Sequence, residues 1–152
     1  MSLERILLAE DNPQDVELTL AALEDIHLAN EVVVVNDGAE ALDYLHRRGK
    51  HSLRGGGDPA VVLLDLKMPK VDGLEVLRQV RGDPAHKSLP IVIMTSSREE
   101  SDLIESYRLG VNAYVVKPVD FAKFAESVKR VGLFWALVNE PPPGSLRRPD
   151  RA

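Results

Sequence analysis

Cysteine is absent from this chain, which excludes disulfide bonds and thiolate metal centres and suits a reducing compartment. No apolar run approaches the ~18–20 residues needed to cross a bilayer. The opening Met1-Ser2-Leu3-Glu4-Arg5-Ile6 lacks the basic start and apolar centre of a secretory signal. Basic charge is not in excess either. With 19 Lys and Arg against 24 Asp and Glu, the net charge of −5 gives no electrostatic reason to bind nucleic acid. No internal repeat of useful period is visible. These absences predict a cytoplasmic protein with no membrane and no nucleic-acid partner.

What is present is an ordinary globular composition. The 152 residues are 44% hydrophobic and 28% charged, enough for one domain with its own core. Five apolar runs read as strands, at about 5–9, 31–35, 60–65, 90–95 and 113–117. They are continuous rather than alternating, as in strands buried on both faces. Helical patterns separate them, so the class is α/β with a doubly wound parallel sheet of five strands.

The helix starts are signposted. Asn12 caps the first helix with Pro13 at its first position. Asp37-Gly38-Ala39-Glu40 and Asp72-Gly73-Leu74-Glu75 each place an acid three residues after an Asp cap, and Ser97-Arg98-Glu99-Glu100 is the serine form of that box. In the third helix Leu74, Leu77 and Val80, with Val71, form a core stripe, and Gly110 ends the fourth in a left-handed cap. Segment 47–59, with Gly55-Gly56-Gly57, reads as a flexible, solvated loop. It precedes a strand and lacks a Gly-Lys-Ser/Thr ending, so it does not read as a phosphate loop. From 139 onward Pro141-Pro142-Pro143-Gly144-Ser145 and Arg147-Arg148-Pro149 predict an extended or disordered tail. The division is therefore 1–138 for the folded domain and 139–152 for the tail.

In an open parallel sheet, ligands bind beyond the carboxyl ends of the strands, where strand order reverses. Glu10-Asp11, Asp65, Thr95 and Lys117 each fall where an apolar run ends. The fold class therefore gathers three carboxylates, a hydroxyl and an ammonium in one crevice. Mg²⁺ takes one or two protein carboxylates together with phosphate oxygens. A lysine holds a phosphate as a point charge, and a threonine hydroxyl can donate to it. Asp65 is the candidate acceptor, because a carboxylate can form an aspartyl phosphate. Taken singly, each residue has a plain structural role: Glu10 and Asp11 at a helix start, Asp65 in a turn, Lys117 in solvent, Thr95 and Tyr114 within strands. Their matched places on four strands favour a site. His27, His46, His51 and His86 stand apart, and only His46 and His51 lie near one another, too few ligands for structural zinc.

Together, Glu10-Asp11-Asn12, Leu64-Asp65-Leu66-Lys67-Met68-Pro69 with Asp72-Gly73, Met94-Thr95-Ser96 and Val116-Lys117-Pro118 resemble the receiver domains of two-component response regulators, the family of the chemotaxis regulator CheY. The likeness covers about residues 4–138, with 54 residues from Asp11 to Asp65 and 52 from Asp65 to Lys117. It implies a flavodoxin-like (βα)5 fold with strand order 2-1-3-4-5. It also implies phosphorylation of Asp65 by a histidine kinase, with Mg²⁺ held by Glu10, Asp11, Asp65 and the backbone carbonyl of Lys67. Thr95 and Lys117 would contact the phosphoryl group, and Tyr114 would turn inward when Thr95 moves. A cis peptide before Pro118 is usual in the family. Such a module catalyses only its own phosphorylation and dephosphorylation, so its output is a protein contact or phosphate passed onward.

A narrower likeness rests on the long 47–58 loop, Arg81-Gly82-Asp83-Pro84 and Leu133-Phe134-Trp135 ahead of the Pro-rich tail. These look like the receiver-only regulators that partner phytochromes. In the last helix Phe121, Phe124, Val128, Val131 and Trp135 can form the core stripe. That leaves Leu133, Phe134 and Leu137 off it as a partner surface, expected to serve a homodimer.

Two other functions are weaker. A Mg²⁺-dependent phosphohydrolase of the haloacid dehalogenase type places its nucleophile as Asp-x-Asp after the first strand, where this chain reads Glu10-Asp11-Asn12. A flavodoxin-like cofactor binder needs a Ser, Thr and Gly-rich phosphate loop there, and acids repel phosphate unless a metal intervenes.

Overall fold

Short apolar runs set the strands, and the computed structural model describes residues 6–117 and 120–140. In chain order they form β1 (Ile6–Ala9), α1 (Pro13–Glu24), β2 (Val32–Val35), α2 (Gly38–His46), β3 (Val61–Leu64), α3 (Gly73–Gly82), β4 (Ile91–Thr95), α4 (Glu100–Arg108), β5 (Ala113–Val116) and α5 (Phe121–Gly132). A π-type stretch, Leu133–Val138, continues α5. All neighbouring strands pair in parallel, in the order β2-β1-β3-β4-β5. The doubly wound order implied by the resemblance is the order found. Glu31, Asp65 and Lys117 lie just outside the strands, so the sequence reading ran slightly long where polar residues flank the ladder.

Alternation along the strands divides the core into two layers. Leu7, Ala9, Val62, Leu64, Ile91 and Ile93 pack against α2 and α3, with Leu45, Val76, Leu77 and Val80. Ile6, Leu8, Val61, Leu63, Val92 and Met94 face α1 and α5, with Leu23, Phe124 and Val128. Each such burial is worth ~1.5–3 kcal/mol, and together they hold the strand ends in register. Among the described residues, no helix is long and apolar enough to cross a membrane.

Caps set where the helices begin and end. Asn12 Oδ1 accepts from the N–H groups of Gln14 (2.9 Å) and Asp15 (3.3 Å). Asp37 and Asp72 accept from Glu40 N–H (2.7 Å) and Glu75 N–H (2.9 Å). At the end of α4, Val111 N–H reaches Ser106 O and Gly110 N–H reaches Tyr107 O, with Gly110 at φ 93°; this pair of bonds is a Schellman closure.

Three expectations are corrected. Ser97 does not cap α4 through the box: the helix begins at Glu100 with no side-chain cap, and Ser97 Oγ instead donates to Asp102 Oδ2 at 2.6 Å. Phe121 leaves the core stripe and is exposed, because as the first residue of α5 it precedes the turns that meet the core. The stripe is completed by Gly132 and Ala136, and a Cβ on Gly132 would come within 2.6 Å of Leu23 Cδ2, so glycine lets α5 close onto α1. Segment 47–59 is less solvated than its charge suggested. The Arg54 side chain, 8% exposed, donates from Nε to Tyr44 O (2.6 Å) and from a terminal nitrogen to Gly57 O (3.1 Å), with its guanidinium 4.1 Å from the Tyr44 ring centre. The peptide before Pro118 and nearly all of the 139–152 tail lie outside the described residues.

Candidate functional site

Register builds the site. Ala9 pairs with Leu64, so the residues that follow, Glu10 and Asp65, leave β1 and β3 side by side at the switch point. Asp65 N–H still bonds Ala9 O (3.1 Å), and Lys117 N–H bonds Thr95 O (2.7 Å), which fixes the β5 end beside the β4 end.

Lys117 Nζ is the centre of charge. It donates to Glu10 Oε1 (2.5 Å), Asp15 Oδ2 (2.8 Å) and Asp65 Oδ2 (3.0 Å) from a nearly buried position. Burial alone would lower the Lys117 pKa, but the Asp15, Glu10 and Asp65 carboxylates raise it well above the usual lysine range. Burial also pushes the Asp65 carboxyl up. The Lys117 ammonium outweighs this, with help from the Thr95 hydroxyl, and leaves Asp65 below its ordinary value and ionised. Glu10 goes the other way: its burial dominates over the Lys117 bond, and the neighbouring Asp65 charge adds to it, so its pKa rises to about 7.

The predicted residues converge. Carboxylate oxygens of Glu10, Asp11 and Asp65 lie within 4.8 Å of one another, with Asp11 exposed at the mouth and the other two buried. This all-oxygen donor set fits a hard cation such as Mg²⁺. Lys67 N–H bonds Asp65 Oδ1 (3.3 Å), which holds the turn that carries the Lys67 carbonyl beside the acceptor candidate. Thr95 is fully buried, and its Oγ1 accepts from Ser97 N–H at 3.4 Å. Tyr114 is half-buried, and its hydroxyl donates to Ser97 O at 3.1 Å, which links β5 to the segment that follows Thr95.

Sequence reasoning missed Asp15. Its only signal was its place as an acid in the first turn of α1, from which it reaches Lys117. The histidine reading is also corrected. His46 does not pair with His51, which bonds Glu40 Oε2 at 3.1 Å; it meets Asp83 and His86, residues far along the chain. Leu133, Phe134 and Leu137 are exposed as the stripe analysis expected, at 40%, 47% and 52%.

Comparison with known proteins agrees with this geometry. Residues 6–129 match the model of the response regulator receiver domain. Response regulator Rcp1 of Synechocystis (strain PCC 6803) is 35% identical over 130 residues, covering 86% of this chain and 87% of that protein. A Mn²⁺-bound form of Rcp1 superposes with a TM-score of 0.83 at 34% identity, over 90% of this chain and 97% of that one. The phosphorylated cyanobacterial phytochrome response regulator RcpA gives a TM-score of 0.85 at 37% identity, over 93% and 99%. The bacteriophytochrome response regulator AtBRR is 62% identical, with a TM-score of 0.72 over 92% and 100%. Strand order, the carboxylate cluster at the switch point and the match over residues 6–129 agree, and the chain belongs to the response regulator receiver domain family.

Proposed function

We propose that Asp65 accepts a phosphoryl group from a sensor histidine kinase in the cytoplasm, that Mg²⁺ is required, and that the kinase is a phytochrome. The observation that carries the acceptor reading is the Lys117 ammonium 3.0 Å from Asp65 Oδ2, beside the Glu10 and Asp11 carboxylates. Glu10, Asp11, Asp65 and the Lys67 carbonyl would hold Mg²⁺. When bound, the ion would offset the negative charge that carboxylates and phosphoryl oxygens bring together. Asp65, ionised by its neighbours, supplies the oxygen that attacks phosphorus, while the bond to the donor imidazole breaks and its electron pair leaves with that nitrogen. Lys117 stays protonated throughout and offers its charge to the phosphoryl oxygens, and Thr95 offers its hydroxyl. Drawing Thr95 toward a phosphoryl group pulls on the Ser97 segment to which Tyr114 is tied, and this is the proposed route to a switched surface for a downstream protein.

The phytochrome reading is supported by the likeness to the phytochrome response regulator RcpA and the bacteriophytochrome response regulator AtBRR. A radiolabelled, autophosphorylated phytochrome kinase should transfer its label to this chain much faster than an unrelated histidine kinase does. Equal rates would remove the partnership and leave the acceptor reading intact.

Glu10 gives a pH dependence. Its carboxyl must ionise to hold a cation, and its pKa is raised to about 7. Mg²⁺ affinity, measured by calorimetry, should therefore strengthen about tenfold between pH 6 and pH 8, the ratio of ionised Glu10 at the two values. A flat profile would mean that Glu10 takes no part. The same shift sets a stability trend in metal-free protein. The folded chain holds a proton that the unfolded chain has released between pH 4.5 and about 7, so stability falls as pH rises through that window.

A homodimer is proposed through Leu133, Phe134 and Leu137. Their exposure along one continuous stretch supports it, as does the neighbouring Val138 at 69%. Light scattering across micromolar concentrations should show a dimer that Phe134→Asp dissociates. A monomeric mass with and without phosphate would instead make this patch a docking surface for a partner.

A further inference from the structure

The geometry points to a second cation site, for a divalent transition metal of the zinc class, formed by His46, Asp83 and His86. It lies at the far end of the molecule from Asp65: His46 is the last residue of α2, Asp83 follows α3, and His86 stands in the turn before β4, where the strands begin. Residues 37 apart in sequence are thus brought into contact.

Three features of the cluster are those of a chelating site. The first is convergence on one point. Asp83 Oδ2 stands 3.0 Å from His46 Nε2 and 2.8 Å from His86 Nδ1, and all three atoms lie within 4.8 Å of one another. Bonds of about 2.0–2.2 Å from one tetrahedral ion to such ligands imply ligand separations of about 3.3–3.6 Å, so the side chains need to move by well under 1 Å. The second is support from behind. The other nitrogen of His86, Nε2, faces Asp58 Oδ1 at 3.2 Å. A ligating histidine commonly donates its remaining N–H to a carboxylate, which fixes ring orientation and raises its basicity. The third is rigidity. His86 is 7% exposed and the two imidazoles meet edge to face with centres 5.4 Å apart. Among the described residues His46 Nδ1 is buried with no hydrogen-bond partner, and Nε2 is the nitrogen that faces Asp83.

The donor set selects the ion. Two imidazoles and one carboxylate suit Zn²⁺, Co²⁺, Ni²⁺ or Cu²⁺ and disfavour Mg²⁺, which requires oxygens. An ion here is bound through His46 Nε2, His86 Nδ1 and Asp83 Oδ2 in place of their direct contacts with one another, and His86 Nε2 still faces Asp58. The Asp83 carboxyl is already held down at about 2, chiefly by the His86 bond and then by the Ala85 N–H, so it is ionised and ready to ligate. Three protein ligands leave a position for water. The ion ties the end of α2 to the turn between α3 and β4, and so stabilises the fold by mass action.

Calorimetric titration of the untagged full chain with Zn²⁺, in saturating Mg²⁺ to occupy the Asp65 site, tests this. One Zn²⁺ per chain should bind. His46→Gln and Asp83→Asn should each weaken binding at least tenfold, and His51→Gln should leave it unchanged. Asp83→Asn can keep the bond from Ala85 N–H (3.0 Å in the native chain), so the turn is preserved, and circular dichroism reports folding of each variant. Co²⁺ substitution should shift the ring-proton resonances of His46 and His86 in the native chain and produce no such shift in Asp83→Asn. Zn²⁺ should raise the melting temperature of the native chain and not of His46→Gln. No uptake at tenfold excess of Zn²⁺, or equal uptake by folded His46→Gln and Asp83→Asn variants, would overturn the site.

Discussion

Asp65→Asn is expected to take up no phosphoryl group from acetyl phosphate and Mg²⁺ under conditions in which the native chain takes up one. The asparagine has the shape of the aspartate, and Lys117 keeps Glu10 and Asp15 as partners, so the fold around the ammonium survives. What disappears is the ionised oxygen, since an amide is a far weaker nucleophile than a carboxylate. The neighbouring acids are poor substitutes. Glu10 is about half protonated at pH 7 and more so below it, with its Oε1 engaged by Lys117, and Asp11 is exposed at the mouth of the crevice. Asp65 is the acid held 3.0 Å from the Lys117 ammonium with the Thr95 hydroxyl also favouring its ionised form. The native label should be stable in acid and lost in base, as an acyl phosphate is. A base-labile label on folded Asp65→Asn would transfer the acceptor role to another residue.

Much of this site was legible because it depends on one-dimensional facts. Apolar runs mark the strands, and the residue after each run falls at a strand end, so Glu10, Asp65 and Lys117 could be gathered from sequence once the sheet was known to be parallel. Asp15 was not legible in that way. It lies in the first turn of α1, and its 2.8 Å bond to Lys117 depends on where that turn sits against the end of β5 and on the length of the lysine side chain. His46 and His86 were missed for a related reason. Nothing local marks two residues on different elements as neighbours, whereas His46 and His51 are close in sequence and point to different acids, Asp83 and Glu40. Ser97 was misread because the box pattern is local, while the bond it forms to Asp102 depends on where α4 packs. Phe121 shows the same limit at a helix end: periodicity gives the face of a helix but not how far the core extends along it.

Gly73→Ala is expected to lower both stability and the rate of phosphorylation, although Gly73 bears no chemistry. As the first residue of α3 it needs no unusual backbone angle; the constraint is space. A Cβ there would lie 2.3 Å from Asp65 O and 2.7 Å from Leu66 Cα, and both are main-chain atoms that no rotamer change can move aside. The same close approach carries the bond from Gly73 N–H to Leu66 O at 2.8 Å, which ties the start of α3 to the turn after Asp65. A methyl group therefore forces α3 and that turn apart. Overpacking of this kind costs about 1–3 kcal/mol, and main-chain neighbours place it toward the upper end. For a domain of this size the melting temperature should fall by roughly 5–10 °C. Because the displaced turn carries Asp65 and the Lys67 carbonyl, labelling by acetyl phosphate should slow by one to two orders of magnitude even well below the melting point, since a shift on the order of 1 Å is enough for such a loss. Gly82→Ala is the control within the same helix: outside its chain neighbours and its own helix backbone, no described atom lies within 4 Å of its Cβ position, so it should melt and label like the native chain. A Gly73→Ala variant that matches the control in both measurements would show that the turn yields freely, and that contact with α3 does not position Asp65.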